Sequence, residues 1–145
     1  QLVAMCDLAV ASSDARFAVS GVNLGLFCST PSVALARNVG RKQAMEMLLT
    51  GDFISAEHAQ TLGLINRVAE DLDAEVATLV DRILSKPRLA LALGKQLFYR
   101  QIETGMSAAY DDAAQTMACN MMDPAAQEGF QAFLEKRPPS WKPSL

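Results

Sequence analysis

With 145 residues, half of them hydrophobic and a fifth charged, the chain has the composition of an ordinary globular unit and enough length for one core. A net charge of −3 with scattered basic residues excludes the clustered positive footprint of a nucleic-acid binder, and no apolar run approaches the roughly 20 residues that cross a bilayer as a helix. Neither nucleic acid nor membrane is therefore expected as a partner. Cys6, Cys28 and Cys119 are far apart and the single histidine, His58, stands alone; the paired spacing of zinc or dithiol sites is missing, which points to a reducing compartment and to no metal.

Gln1-Leu2-Val3-Ala4-Met5-Cys6 reads as the inside of a buried segment, with no cap or turn residue ahead of it, so further chain is expected upstream. Residues 7–12 are expected to form a short buried strand, because Leu8, Ala9, Val10 and Ala11 make an apolar run closed by Ser12, Ser13 and Asp14. Residues 16–19 make a second extended piece. From Gly21 to Pro31 comes a stretch of small residues with two glycines, Asn23, Ser29 and Thr30, which suits a loop passing close to a ligand or to another backbone.

Pro31 sits well in a first helical turn, and Val33, Ala36 and Val39 follow at helical spacing up to Gly40. A second helix is expected over 41–50, with Ala44, Met47 and Leu48 inward and Gly51 as its stop. Ser55 caps a short helix carrying Ala56, Ala59 and Leu62, which Gly63 ends; residues 64–68 then read as a small strand.

The remaining half reads as helical hairpins. Val76, Leu79, Val80, Ile83 and Leu84 form one apolar stripe, and Leu89, Leu93 and Leu97 belong to the next helix. Ser107 is a cap for a third, whose Tyr110, Ala113, Ala114, Met117 and Met121 share a face. Asp123-Pro124, a capping residue followed by proline at the first helical position, opens a last helix through Phe130, Phe133 and Leu134 to Arg137, ended by Pro138 and Pro139. Periodic apolar faces normally pack, so these stripes are read as core. Neither an internal repeat nor a linker interrupts the chain.

Cys6-Asp7-Leu8-Ala9-Val10-Ala11, Arg16-Phe17, Val22-Asn23-Leu24-Gly25, Ala44-Met45-Glu46-Met47-Leu48-Leu49-Thr50-Gly51, and Ile54-Ser55-Ala56-Glu57 with Ala59 and Gly63-Leu64-Ile65 resemble, in order and spacing, the enoyl-CoA hydratase/isomerase (crotonase) family. Residues 130–137 resemble that family's terminal helix. The resemblance implies an α/β fold of the crotonase-like ββα spiral type. Residues 1–70 would supply only its later turns and 71–145 a helical trimerisation region, so that this stretch is mainly helical. It also implies an acyl-CoA thioester as substrate with no separate cofactor, a homotrimer or hexamer, and a cytoplasmic setting, or the mitochondrial matrix in a eukaryote. Most of the CoA-binding surface, and the two peptide N–H groups that hold the thioester oxygen, would lie upstream.

Such a pair of N–H donors stabilises the negative charge that builds on a thioester oxygen as an enolate forms, but side chains placed over the reacting carbons decide which reaction follows. By the resemblance, the two glutamates of a hydratase fall at Gln1 and Gly21. An amide has no basic lone pair at neutral pH, and glycine has no side chain, so hydration should fall by at least the roughly 10²–10⁴-fold that one proton-transfer group contributes. After Gly25, where the family usually has a proline and paired glycines, the chain reads Leu26-Phe27-Cys28-Ser29-Thr30-Pro31. The substrate-facing positions implied are Gly21, Leu24, Cys28 and Ser29.

Cys28 reads either as a nucleophile, which would need a base or helix terminus beside it, or as a small packing residue. Phe133 and Lys136 match terminal-helix residues that approach the CoA adenine and phosphates; the alternative is a core phenylalanine and a solvated lysine. Asp7 reads as a turn anchor or N–H cap, and His58 as a surface residue. Two functional readings follow: an enzyme acting on an acyl-CoA thioester by enolate stabilisation, or a non-catalytic acyl-CoA binder or oligomer partner.

Overall fold

The computed structural model describes residues 1–141. The chain divides into two compact units, Gln1–Thr78 and a second beginning at Leu79. The first contains α1 (Leu2–Met5), β1 (Val10–Ser12), β2 (Arg16–Phe17), a 3₁₀ turn (Ser20–Leu24), α2 (Ser29–Asn38), α3 (Arg41–Thr50), β3 (Ile54–Ser55), α4 (Ala56–Thr61) and β4 (Arg67–Ala69). α5 (Leu72–Leu84) runs through the division, and α6 (Arg88–Gln101), α7 (Met106–Met121) and α8 (Pro124–Leu134) belong to the second unit.

β1 and β4 pair in parallel with Ala11 opposite Val68, while β2 and β3 pair antiparallel with Phe17 opposite Ile54. Parallel partners need a crossover of a dozen or more residues, and the helices between β1 and β4 provide it. Asn66 lengthens the parallel ladder: its Oδ1 accepts from the Ala9 N–H at 2.8 Å, and its own N–H donates to the Ala9 carbonyl at 2.8 Å.

The core of this unit collects Ala34, Leu35 and Val39, then Ala44, Met47 and Leu48 of α3, Ala56 and Ala59 of α4, and Leu64 and Ile65. α3 buries the expected stripe because its apolar residues recur at i, i+3 and i+4. It stops at Gly51, whose φ of 67° puts its N–H 3.0 Å from the Met47 carbonyl. α4 starts where Ser55 Oγ accepts from the His58 N–H at 3.2 Å, and it ends as the Leu64 N–H reaches back to the Ala59 carbonyl at 2.9 Å.

Several local expectations are corrected. In α2, Ala34 and Leu35 are buried and Val33 and Ala36 are exposed, because the run Val33-Ala34-Leu35-Ala36 is apolar all round and tertiary packing chose the face. The strand expected over 64–68 forms at Arg67–Ala69, since the turn that closes α4 folds Leu64 and Ile65 into the core as coil. The strand expected over 7–12 shortens to Val10–Ser12. The extended piece over 16–19 forms, with β2 at Arg16–Phe17, whereas the loop expected over 21–31 is largely helical, with a 3₁₀ turn over Ser20–Leu24 and α2 starting at Ser29.

In the second unit α6 and α7 form a hairpin latched by Arg100, whose Nε and Nη2 donate to the Asp112 carboxylate at 2.6 and 2.7 Å. Gly105, not Ser107, holds the N-cap of α7. Asp123 caps α8 by accepting the Ala125 N–H at 2.9 Å, with Pro124 at the first position. α8 ends earlier than expected, at Leu134: Lys136 takes a left-handed φ of 55°, its N–H bonds the Phe133 carbonyl at 3.2 Å, and the Arg137 N–H bonds the Ala132 carbonyl at 3.0 Å. That is the double bond of a Schellman turn, built here without glycine.

The stripes read as core are mostly not buried. Leu84 is 74% exposed and Tyr110 71%, Met117 and Met121 are also exposed, and among the described residues of this unit only Ala132 is buried. Neighbouring helices share a narrow seam, so a stripe wider than the seam stays uncovered. Among the described residues no helix is long and apolar enough to cross a membrane.

Candidate functional site

α1 follows directly on Gln1. It is held from outside: Ala4 is buried, and Asn38 Nδ2 donates both to the Ala4 carbonyl and to the Ala34 carbonyl, each at 2.8 Å. Gln1 and Val19, with Pro31, Leu35 and Met47, line a cavity of about 170 Å³. Among the described residues that line it, Arg16 carries the only ionisable side chain and none carries a carboxylate.

Gly21 lies in the 3₁₀ turn, which rests on the end of α3. Asn23 Nδ2 donates to the Gly51 carbonyl at 3.4 Å, and a Cβ on Gly51 would meet Asn23 Nδ2 and Val22 Cγ1 at 2.9 Å. The Gly21 N–H donates to Cys28 Sγ at 3.1 Å, and the Gly21 carbonyl accepts from the Leu26 N–H at 3.0 Å. A Cβ at position 21 would stand 2.7 Å from Cys28 Sγ and 2.7 Å from the Leu26 carbonyl oxygen. Sequence reasoning named Gly21 and Cys28 separately; their contact, seven residues apart across a turn, carries no periodic signal.

Cys28 is half-buried and packs against the core. Leu24 is exposed. Ser29 opens α2, with its hydroxyl donating to the Phe27 carbonyl at 3.3 Å. His58 is exposed on α4. Among the described residues no group of three or more His, Cys, Asp or Glu is placed to hold a metal ion.

Phe133 and Lys136 stand at the end of α8 in the second unit. Phe133 is 80% exposed rather than in a core, and it lines a cavity of about 480 Å³ with Pro87, Ala90, Phe130 and Trp141. Beside it runs a clamp that sequence reasoning missed. The Glu128 carboxylate accepts from Arg137 Nη1 at 2.7 Å, from Arg137 Nη2 at 3.1 Å and from the Ser140 N–H at 2.7 Å. Arg137, and then the Ser140 N–H, pull the Glu128 carboxyl down to about 2. Trp141 lies over Gly129, where a Cβ would meet its ring at 2.9 Å. The tryptophan itself was the one available signal, an aromatic outside every periodic stripe.

The family model for enoyl-CoA hydratase/isomerase matches residues 1–144. A protein of Rattus norvegicus named enoyl-CoA hydratase domain-containing protein 3, mitochondrial, is 50% identical over 143 residues, which cover 97% of this chain and 48% of that protein. Among solved structures, an enoyl-CoA hydratase of Mycobacterium smegmatis is 67% identical with a TM-score of 0.92, over 97% of this chain and 55% of the other. Human enoyl-CoA hydratase domain-containing protein 3 is 48% identical with a TM-score of 0.89, over 97% and 56%. The chain thus spans about half the length of these relatives.

Proposed function

Because the chain belongs to the enoyl-CoA hydratase/isomerase family and has its crotonase-type fold, we propose that the full-length protein binds an acyl-CoA thioester and stabilises an enolate on it, with ordinary hydration suppressed. The observation that carries this reading is the state of the two positions implied for the hydratase carboxylates. One is a glutamine on the lining of a cavity that, among the described residues, has no carboxylate, and the other is a glycine pressed against Cys28 and Leu26. Water addition needs a base for the nucleophile and an acid for the carbon, and neither position offers one.

Leu24 and Ser29, exposed beside the sealed turn, are the side chains assigned to the acyl group. The exposed ring of Phe133 and the ammonium of Lys136 are assigned to the adenine and phosphates of CoA. The coenzyme A thioester is substrate in this reading, and no further cofactor is involved. The uncovered stripes of α5 to α7 support a homotrimer or hexamer, which sedimentation of the full-length protein checks; a lone monomer would remove the assignment. The rat relative carries mitochondrial in its name; the setting proposed here is a reducing one, matrix or cytoplasm.

The decisive test is turnover by the full-length protein across a panel of enoyl-, hydroxyacyl- and dicarboxyl-CoA thioesters. Turnover of at least one, with crotonyl-CoA hydration at least roughly 10²-fold below that of a glutamate-bearing hydratase, is the expected result. Hydration at a typical hydratase rate would end the proposal. The cavity without a carboxylate equally favours a second reading, a non-catalytic acyl-CoA binder, for which calorimetry would show saturable binding with no turnover of any ester.

A further inference from the structure

Gly21 is glycine for want of space, not for want of conformational freedom. Its φ lies outside the left-handed range that Gly25, Gly51 and Gly63 adopt, so its backbone is open to any L-residue. What bars a side chain is the segment from Leu26 to Cys28. Both the Cys28 sulfur and the Leu26 carbonyl oxygen stand 2.7 Å from the place a Cβ would take, closer than any non-bonded carbon contact tolerates. The same segment is tied down by both polar groups of residue 21, the carbonyl holding the Leu26 N–H and the N–H holding the Cys28 sulfur. Removing the thiol releases one of the two ties and one of the two obstacles.

We propose that Cys28 is a specificity-determining residue of this site: its thiol, anchored on the Gly21 N–H and packed against the core, fills together with the Leu26 carbonyl the side-chain space over residue 21 and excludes a carboxylate from it. The functional half of this inference rests on the acyl-CoA reading above; the steric half does not. Hydration is then shut out by shape as well as by the lack of an acid and a base. Putting glutamate back at positions 1 and 21 is insufficient, because the new side chain at 21 meets the sulfur before it reaches any substrate.

A stability cycle in the full-length protein tests the steric half. Gly21→Ala lowers the melting temperature by roughly 5 °C, the scale of an overpacked site, and the same change in a Cys28→Ala background costs less than half as much, the non-additivity expected of residues in contact. Equal losses in both backgrounds would overturn the inference. The functional half is read from crotonyl-CoA hydration by Gln1→Glu/Gly21→Glu with and without Cys28→Gly. The triple variant exceeds the double by at least roughly 10-fold, with a rate that rises with pH through the carboxylate range, as a general base requires; equal rates, nil included, sink it. Calorimetry of the parent protein with crotonyl-CoA separates the two failures: absent binding defeats the acyl-CoA reading, while the melting cycle still decides whether Cys28 occupies the space.

Discussion

The first unit closes its apolar residues inward from several directions, whereas the second lays them along helices and leaves most of them in contact with water. Leu48 of α3 is 3% exposed and Tyr110 of α7 is 71% exposed, yet both sit on apolar stripes of regular helical spacing. The difference lies in what faces each stripe. α3 has α2, the 3₁₀ turn and the coil at Leu64 and Ile65 around it, while α6 and α7 have chiefly one another. Periodicity therefore identifies a face that favours burial, and only a second layer turns that face into a core.

The sharpest way to break this comparison is to truncate one residue on each side. Leu48→Ala costs about 2–5 kcal/mol, the sum of lost transfer energy and an unfilled cavity, whereas Tyr110→Ala in the 145-residue chain stays within about 0.5 kcal/mol; urea unfolding measures both. Equal losses would show the two stripes to be buried alike. Repeating Tyr110→Ala in the full-length protein sharpens the point, since a cost above roughly 1 kcal/mol there means that the assembly supplies the missing layer.

Helix stops offer the next contrast. Gly51→Ala destabilises the first unit by about 1–3 kcal/mol, because φ is positive and the new methyl meets Asn23 and Val22. Lys136→Gly should act in the opposite direction, stabilising the second unit by roughly 0.5–1 kcal/mol as a strained left-handed lysine is relieved. A loss at position 136 in urea unfolding would mean that the side chain makes stabilising contacts outweighing its backbone strain.

The smallest effect is one of pH. Arg137 and the Ser140 N–H hold the Glu128 carboxyl at about 2, below its ordinary 4.5. A depressed folded-state value contributes stability that is fully present above the unfolded value and is lost as pH falls from about 4.5 toward 2. Glu128→Gln should flatten the melting temperature across that interval and leave its pH dependence near neutrality unchanged. The group faces solvent, so salt should weaken the difference.

What sequence reasoning could see was chemistry that acts within one turn of helix. The inward triad of α3, the stops at Gly51 and Gly63, the Ser55 cap and the Asp123-Pro124 opening all depend on neighbours within four residues, and all formed where expected. What it could not see depends on distant partners: which side of α2 is buried, how the close of α4 carries Leu64 and Ile65 inward, and whether anything covers Tyr110. The candidate site divides the same way. Gln1 and Gly21 stand out only through resemblance to a family, and the closing of the space over Gly21 by Cys28 depends on a fold of the intervening loop that no spacing rule encodes.

Asn38 ties α1 to α2. One amide at the far end of α2 donates both to the Ala4 carbonyl of α1 and to the Ala34 carbonyl of its own helix, each at 2.8 Å. A substitution at position 38 therefore loosens two helices together, one of them remote from it in sequence.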